Sequence, residues 1–148
     1  MASNRIHEIS IFSLDLAMRA GEIIQQERRN NQFERHYKNH DELVTSADIK
    51  VDNFINKAIS KAYPDHRILS EEISPEILDN ESLEQPIWII DPIDGTVNFA
   101  HGHLQVAVSI AYAEGGHVQT GVVHCPFLQE TFHAIRGEKA SMNHKSIQ

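Results

Sequence analysis

Apolar side chains at Ile9, Phe12, Leu16, Ala20 and Ile23 recur at steps of three and four, and Ala47, Val51, Phe54, Ala58 and Ala62 form a second such stripe. Past Phe99 that period stops and β-prone runs take over. The switch constrains the fold more than any other feature, because two one-sided helices need a surface to cover and the later strands supply it. The first stripe predicts a helix from Ile6 to about Arg29. The second predicts a helix that starts at Thr45, whose spacing to Asp48 has the form of a capping box, and that Pro64 stops near Tyr63.

Between the helices, RRNNQFERHYKNHDE at 28–42 shows no clean period and reads mainly as a loop, with at most a short strand over 33–37. Arg67 to Ser70 (RILS) and Ile87 to Ile90 (IWII) are short strand candidates, and SPEILDNESLEQP between them reads as a loop or short helix. Next come Val106 to Ala113, the pair Gly115-Gly116, Val118 to His124, a Cys-Pro break and Glu130 to Ile135. Two glycines in succession suit a two-residue hairpin, since both can take positive φ without penalty. The expected class is α+β: two N-terminal helices packed on a mainly antiparallel sheet. At 148 residues, with ordinary globular composition, the chain has the size of one domain over 1–148.

The chemistry gathers where apolar runs end. Asp48 lies in the first turn of the second helix, Glu71 and Glu72 follow RILS, and Asp91 and Asp94 follow IWII. Strand ends that point the same way would bring these acids together. Carboxylates within a few ångströms of one another repel, so such a cluster persists with a cation or with bound protons. An all-oxygen donor set selects a hard divalent ion, Mg²⁺ above all. Pro92 has no N–H and is expected to end the strand after Asp91, turning the Ile93 carbonyl toward the ion. Gly95 and Thr96 would then open a short helix whose amides face an anion. Each piece has a plainer reading: Pro-x-Asp-Gly is a common turn, Asp48 a helix cap, and Glu71-Glu72 a solvated pair. The ten histidines add a zinc alternative at His101-Gly102-His103 or His124-Cys125, though neither has a matching second pair.

Taken together, LVTSAD, ILSEE and WIIDPIDGTVNF, in that order, resemble the N-terminal half of the inositol monophosphatase family, and the similarity extends over nearly the whole chain. The bacterial extragenic-suppressor branch belongs to that family. The resemblance implies the first half of a layered αβαβα sugar-phosphatase fold, with a metal- and phosphate-binding domain here and the family's C-terminal α/β domain outside this chain. It implies hydrolysis of a phosphate monoester such as inositol 1-phosphate by metal-activated water, with two or three Mg²⁺ ions per site and inhibition by Li⁺. By resemblance Glu71 is a metal ligand that also places the attacking water, and Asp91, the Ile93 carbonyl and Asp94 are metal ligands. Gly95, Thr96 and Asp94 would bind the substrate phosphate, Asp48 and Thr96 would help activate the water, Lys38 falls in a mobile loop, and Glu72 supports.

The chain also departs from the family. The W-D-x-A-A-G motif, whose aspartate completes the second metal site, is not present, and Ser70 stands where Gly or Thr is common. The alternatives are therefore a catalytically incomplete member acting as an interaction or regulatory module, or a related fructose-bisphosphatase or nucleotide phosphatase. A homodimer is expected from the resemblance. The formal charge of −8 disfavours a sequence-independent grip on nucleic acid. One cysteine, no apolar signal core in MASNRIHEIS, and no apolar run near the roughly 20 residues of a membrane span lead to an expected cytoplasmic protein.

Overall fold

The two apolar stripes become α1 (Asn4–Asn30) and α2 (Ser46–Ala62). In this structure, a computed structural model, residues 2–30, 35–38, 42–70 and 83–148 are described, with the backbone alone for 35–38 and 42–44. The capping box is present: the Asp48 N–H donates to Thr45 Oγ1 at 3.3 Å, and Asp48 Oδ2 accepts from the Thr45 N–H at 2.9 Å. These two bonds satisfy amides that the first turn of a helix leaves without partners. At the other end the Tyr63 N–H donates to the Ile59 carbonyl at 2.7 Å, one residue before Pro64 closes off further helix.

Part of the polar stretch expected to be loop forms a hairpin instead. β1 (Arg35–Lys38) pairs antiparallel with β2 (Glu42–Thr45), which runs straight into the N-cap of α2. The short strand allowed over 33–37 overlaps β1, whereas β2 was read as loop, since backbone pairing does not need an apolar alternation. The larger sheet contains β3 (Arg67–Ser70), β4 (Ile87–Asp94), β5 (Ala107–Glu114), β6 (His117–Cys125), β7 (Glu130–Ile135), β8 (Ser141–Met142) and β9 (Lys145–Ser146). Among the described residues its order is β3-β4-β5-β6-β7-β8-β9. β3 and β4 are parallel and every later neighbour is antiparallel, so the α+β class holds and the ends of β3 and β4 point the same way.

Gly115 and Gly116 turn the β5–β6 hairpin with φ of 60° and 79°. The β8–β9 hairpin was not anticipated. Its turn residues Asn143 and His144 adopt φ of 49° and 67° without a glycine. A turn with positive φ at both central positions matches strand twist, and Asn tolerates it better than most side chains.

Both long helices cover the same face of the sheet. Strand parity sends Trp88 and Ile90 of β4, Val108, Ile110 and Tyr112 of β5, and Val122 of β6 into one core with Ile9, Leu16, Val51 and Ile55. The opposite face carries Ile89, Ala111, Phe132 and Val123 and stays partly open, Val123 being 39% exposed. No helix among the described residues is long and apolar enough to cross a membrane.

Trp88 is the hub of an aromatic cluster with ring centroids 5.1 Å from Tyr112, 5.6 Å from Tyr63 and 5.7 Å from Phe12. Its Nε1–H donates to His66 Nδ1 at 3.1 Å, which requires that nitrogen to be unprotonated. Burial lowers the pKa of His66, of His124 and of His133. Lowered imidazole values mean that the unfolded chain takes up protons first, so stability is complete above the unfolded value near 6.5 and drains away as the pH falls below it. Burial raises the carboxyl pKa of Asp52 and acts in the opposite sense, favouring the fold in acid. With three imidazoles against one carboxyl, the melting temperature should fall between about pH 7.5 and about pH 5.5, and His66→Gln should flatten that slope. Melting followed by circular dichroism at the two pH values checks this, and a flat profile would contradict it.

Candidate active site

β4 continues through Pro92 to Asp94, where a stop after Asp91 was expected. The reason is a bulge. Asp91 lies opposite Ser109 and Asp94 opposite Ala107, so three steps along β4 face two along β5. Proline is tolerated in a strand at such an irregularity, where its missing N–H breaks no regular ladder. The bulge also alters direction. On a regular strand residues three apart face opposite sides, but directly opposed residues share a face, and Ser109 and Ala107 are two apart. Asp91 and Asp94 are thereby set on one side of the sheet, Asp91 half-buried and Asp94 exposed.

The chain turns sharply after Asp94. Gly95 has φ of 91°, and a Cβ there would stand 2.7 Å from the Gln105 carbonyl oxygen, so both conformation and space require glycine. α3 (Thr96–Ala100) follows at once, with the Phe99 N–H donating to the Gly95 carbonyl at 2.9 Å. Asn98 Nδ2 donates to the Gln105 carbonyl at 2.9 Å and the His103 N–H to the Asn98 carbonyl at 2.8 Å, folding the next loop back on the turn.

Asp48 approaches from the N-terminus of α2. It is 0% exposed, and Oδ2 accepts from the Thr45 N–H and, at 2.5 Å, from Thr45 Oγ1. Oδ1 accepts from Thr96 Oγ1 at 2.9 Å. The Ile93 carbonyl is a second, longer acceptor for the same hydroxyl at 3.2 Å. One proton serves one strong bond at a time, and the shorter contact to a carboxylate is the stronger. Thr96 thus links the buried Asp48 to the end of β4.

Of the residues singled out from sequence, Thr96 joins Asp48 and the Ile93 carbonyl by hydrogen bonds, and Asp91, Asp94 and Gly95 lie in the same stretch of chain at the end of β4. Glu71 and Glu72 lie outside the described residues. Lys38 pairs with Glu42 along the backbone of the β1–β2 hairpin, and its side chain is likewise outside. Among the described residues no three of His, Cys, Asp or Glu converge as a metal cluster, for the zinc alternative or for the carboxylates. His124 Nδ1 bonds Thr131 Oγ1 at 2.8 Å on the helix-facing side of β6. Burial raises the Cys125 pKa, and the Glu130 and Asp94 carboxylates raise it further, so the thiol stays protonated near the acidic end.

Two residues have contacts that sequence reasoning passed over. Arg28, near the end of α1, donates to the Phe99 carbonyl at 3.0 Å and the His103 carbonyl at 2.7 Å, and its guanidinium lies 3.9 Å from the Phe127 ring centroid and 5.0 Å from that of Phe99. It ties the segment after Thr96 to α1. Asp52 is fully buried on α2 and accepts from the Ser70 hydroxyl. Its signal in the sequence was an acid one turn after Asp48 on the face that buries Val51, Ile55 and Ile59. A cavity of about 400 Å³ between α1 and β6–β8 includes none of the acids at the end of β4. His124, His133 and Asn143 in its walls bond to Thr131, Ser10 and Gln129 of the chain itself.

Inositol monophosphatase 1 of Solanum lycopersicum is 36% identical over 148 residues, which are 99% of this chain and 54% of that protein. The fructose-1,6-bisphosphatase/inositol-1-monophosphatase of Thermotoga maritima is 42% identical over 106 residues, 72% of this chain and 39% of that protein. Among solved structures, the extragenic suppressor protein suhB from Bartonella henselae superposes with a TM-score of 0.85 at 34% identity, covering 95% of this chain and 54% of its own. The chain spans about half the length of the curated relatives it matches. The sequence profile described as "Inositol monophosphatase family" matches residues 5–148, and with these likenesses it shows that the chain belongs to that family.

Proposed function

We propose that these residues form the metal- and phosphate-binding part of a Mg²⁺-dependent phosphatase acting on a sugar phosphate such as inositol 1-phosphate. The observation that supports the reading is the bulge in β4, whose register sets Asp91 and Asp94 on one face of the sheet. The donor set fits a hard cation, being oxygen throughout, with one carboxylate half-buried and one exposed. Asp91, Asp94 and the Ile93 carbonyl would hold Mg²⁺, with Glu71 as a further ligand. When bound, the ion supplies an acidified water and a sink for charge on the phosphate oxygens.

The chain's own groups have defined tasks. Thr96 Oγ1 gives its proton to Asp48, which leaves its oxygen lone pairs to accept a proton from a water at the end of β4. Asp48 is too deeply buried to touch that water and works through Thr96. Gly95, with no side chain in the way, lets the backbone after Asp94 approach a phosphate closely. Lys38 remains a candidate for contact with the substrate from the β1–β2 hairpin.

The test is phosphate release from inositol 1-phosphate and from fructose 1,6-bisphosphate by the full polypeptide that carries these residues. The second substrate is included because the Thermotoga maritima relative is named for it. Release in Mg²⁺ that stops on adding a chelator, and that Li⁺ inhibits, is the expected result. No Mg²⁺-dependent release from either compound would overturn the proposal.

A further inference from the structure

Asp52 costs the fold stability, since a carboxylate taken out of water is disfavoured unless its oxygens find partners. Oδ1 has the Ser70 hydroxyl, while Oδ2 is buried with no hydrogen-bond partner among the described residues. An apolar side chain on this face of α2 would suit the core better. Asp52 follows Asp48 by four residues, one helical turn, so the two acids project from the same side of one helix.

What each acid holds differs. Asp48 holds Thr96, two residues after Asp94. Asp52 holds Ser70, the last residue of β3, whose backbone partner on β4 is Ile90, next to Asp91. From a single rigid helix the pair therefore grips both ends of the stretch from Asp91 to Thr96. We propose that Asp52 is a positioning residue for the metal-binding carboxylates: through Ser70 it fixes the end of β3 against β4 and so sets where Asp91 stands. The inference rests on the metal reading above and extends it to a residue that does not itself touch the ion. It also gives Ser70, a departure from the family's usual Gly or Thr, a specific partner.

Mn²⁺ alone, titrated calorimetrically into the full polypeptide well below its melting temperature, supplies the readout. Asp52→Ala and Ser70→Ala should each weaken Mn²⁺ binding about tenfold, the low end of the range for groups that orient a ligand. Asp52→Asn, whose carboxamide oxygen still accepts the Ser70 proton, should stay within about twofold of the parent. The double variant Asp52→Ala/Ser70→Ala should bind no more weakly than either single one, because both remove the same bond. Unchanged binding in Asp52→Ala, additive losses in the double variant, or an Asn variant as weak as Ala would each overturn the role. If Asp52→Ala does not fold, Ser70→Ala and Asp52→Asn carry the comparison. Failure of the parent to bind Mn²⁺ sinks the metal reading itself, whereas a parent that binds beside unaffected variants sinks only this inference.

Discussion

Asp91→Asn is expected to reduce Mg²⁺-dependent phosphate release by about a hundredfold or more, because a metal that polarises phosphate oxygens contributes several kcal/mol and each 1.36 kcal/mol is a factor of ten. Asparagine keeps the shape and removes the charge. The loss should therefore fall on metal binding and leave the fold intact. Without metal, taking away one of two carboxylates on the same face relieves repulsion, so the melting temperature should hold or rise. With metal the comparison reverses. A ligand that binds only the folded state at a hundred times its Kd stabilises by about 2.7 kcal/mol, and the variant should lose that increment. Melting with and without Mg²⁺ checks the prediction independently of turnover. Asp15→Asn is the control, since Asp15 is an exposed acid of α1 with only a 3.7 Å contact to Arg19. An Asp91 variant that keeps its Mg²⁺-induced stabilisation would place the ion elsewhere.

Trp88→Ala should produce the largest loss of stability of any single change in β4, about 3–5 kcal/mol. The indole is 0% exposed and packed on three sides by Phe12, Tyr63 and Tyr112, which come from α1, the end of α2 and β5. Its removal would leave a cavity that no single element can move in to fill. It would also leave His66 Nδ1 without the indole N–H that it now accepts from. For a chain of this size the melting temperature should drop by about 10 °C, measured by circular dichroism. A drop of only a degree or two would mean that the aromatic rings repack, against the three-sided enclosure.

Local rules made the helices and the Gly115-Gly116 hairpin legible, because each depends on residues that are neighbours in sequence. The capping box of Thr45 and Asp48 is a case in point. Pro92 was read as the end of a strand since, taken alone, it removes a ladder hydrogen bond. Whether the strand goes on depends on its register with β5, more than a dozen residues later. β1 was legible only as a possible short strand over 33–37, and β2, β8 and β9 not at all, for another reason: short strands rich in polar residues carry little periodic signal. Asp91 and Asp94 could be named as a pair from their spacing, but the spacing of three argues for opposite faces and only the bulge reverses that. Asp48 was legible as a cap, and the family likeness named it with Thr96 as a pair, but the bond between them, across 48 positions of sequence, is seen only in the structure. Arg28 and Asp52 remained hidden because their partners, the Phe99 and His103 carbonyls and Ser70, are distant in the chain.

Trp88 is the sole tryptophan in the chain and lies three residues before Asp91 in the same strand. All indole fluorescence from these 148 residues therefore originates in the element that carries Asp91 and Asp94. Enclosed by rings and away from water, that fluorophore emits to the blue of a solvated one while β4 is seated. These residues carry their own optical label in the strand that ends at Asp91 and Asp94.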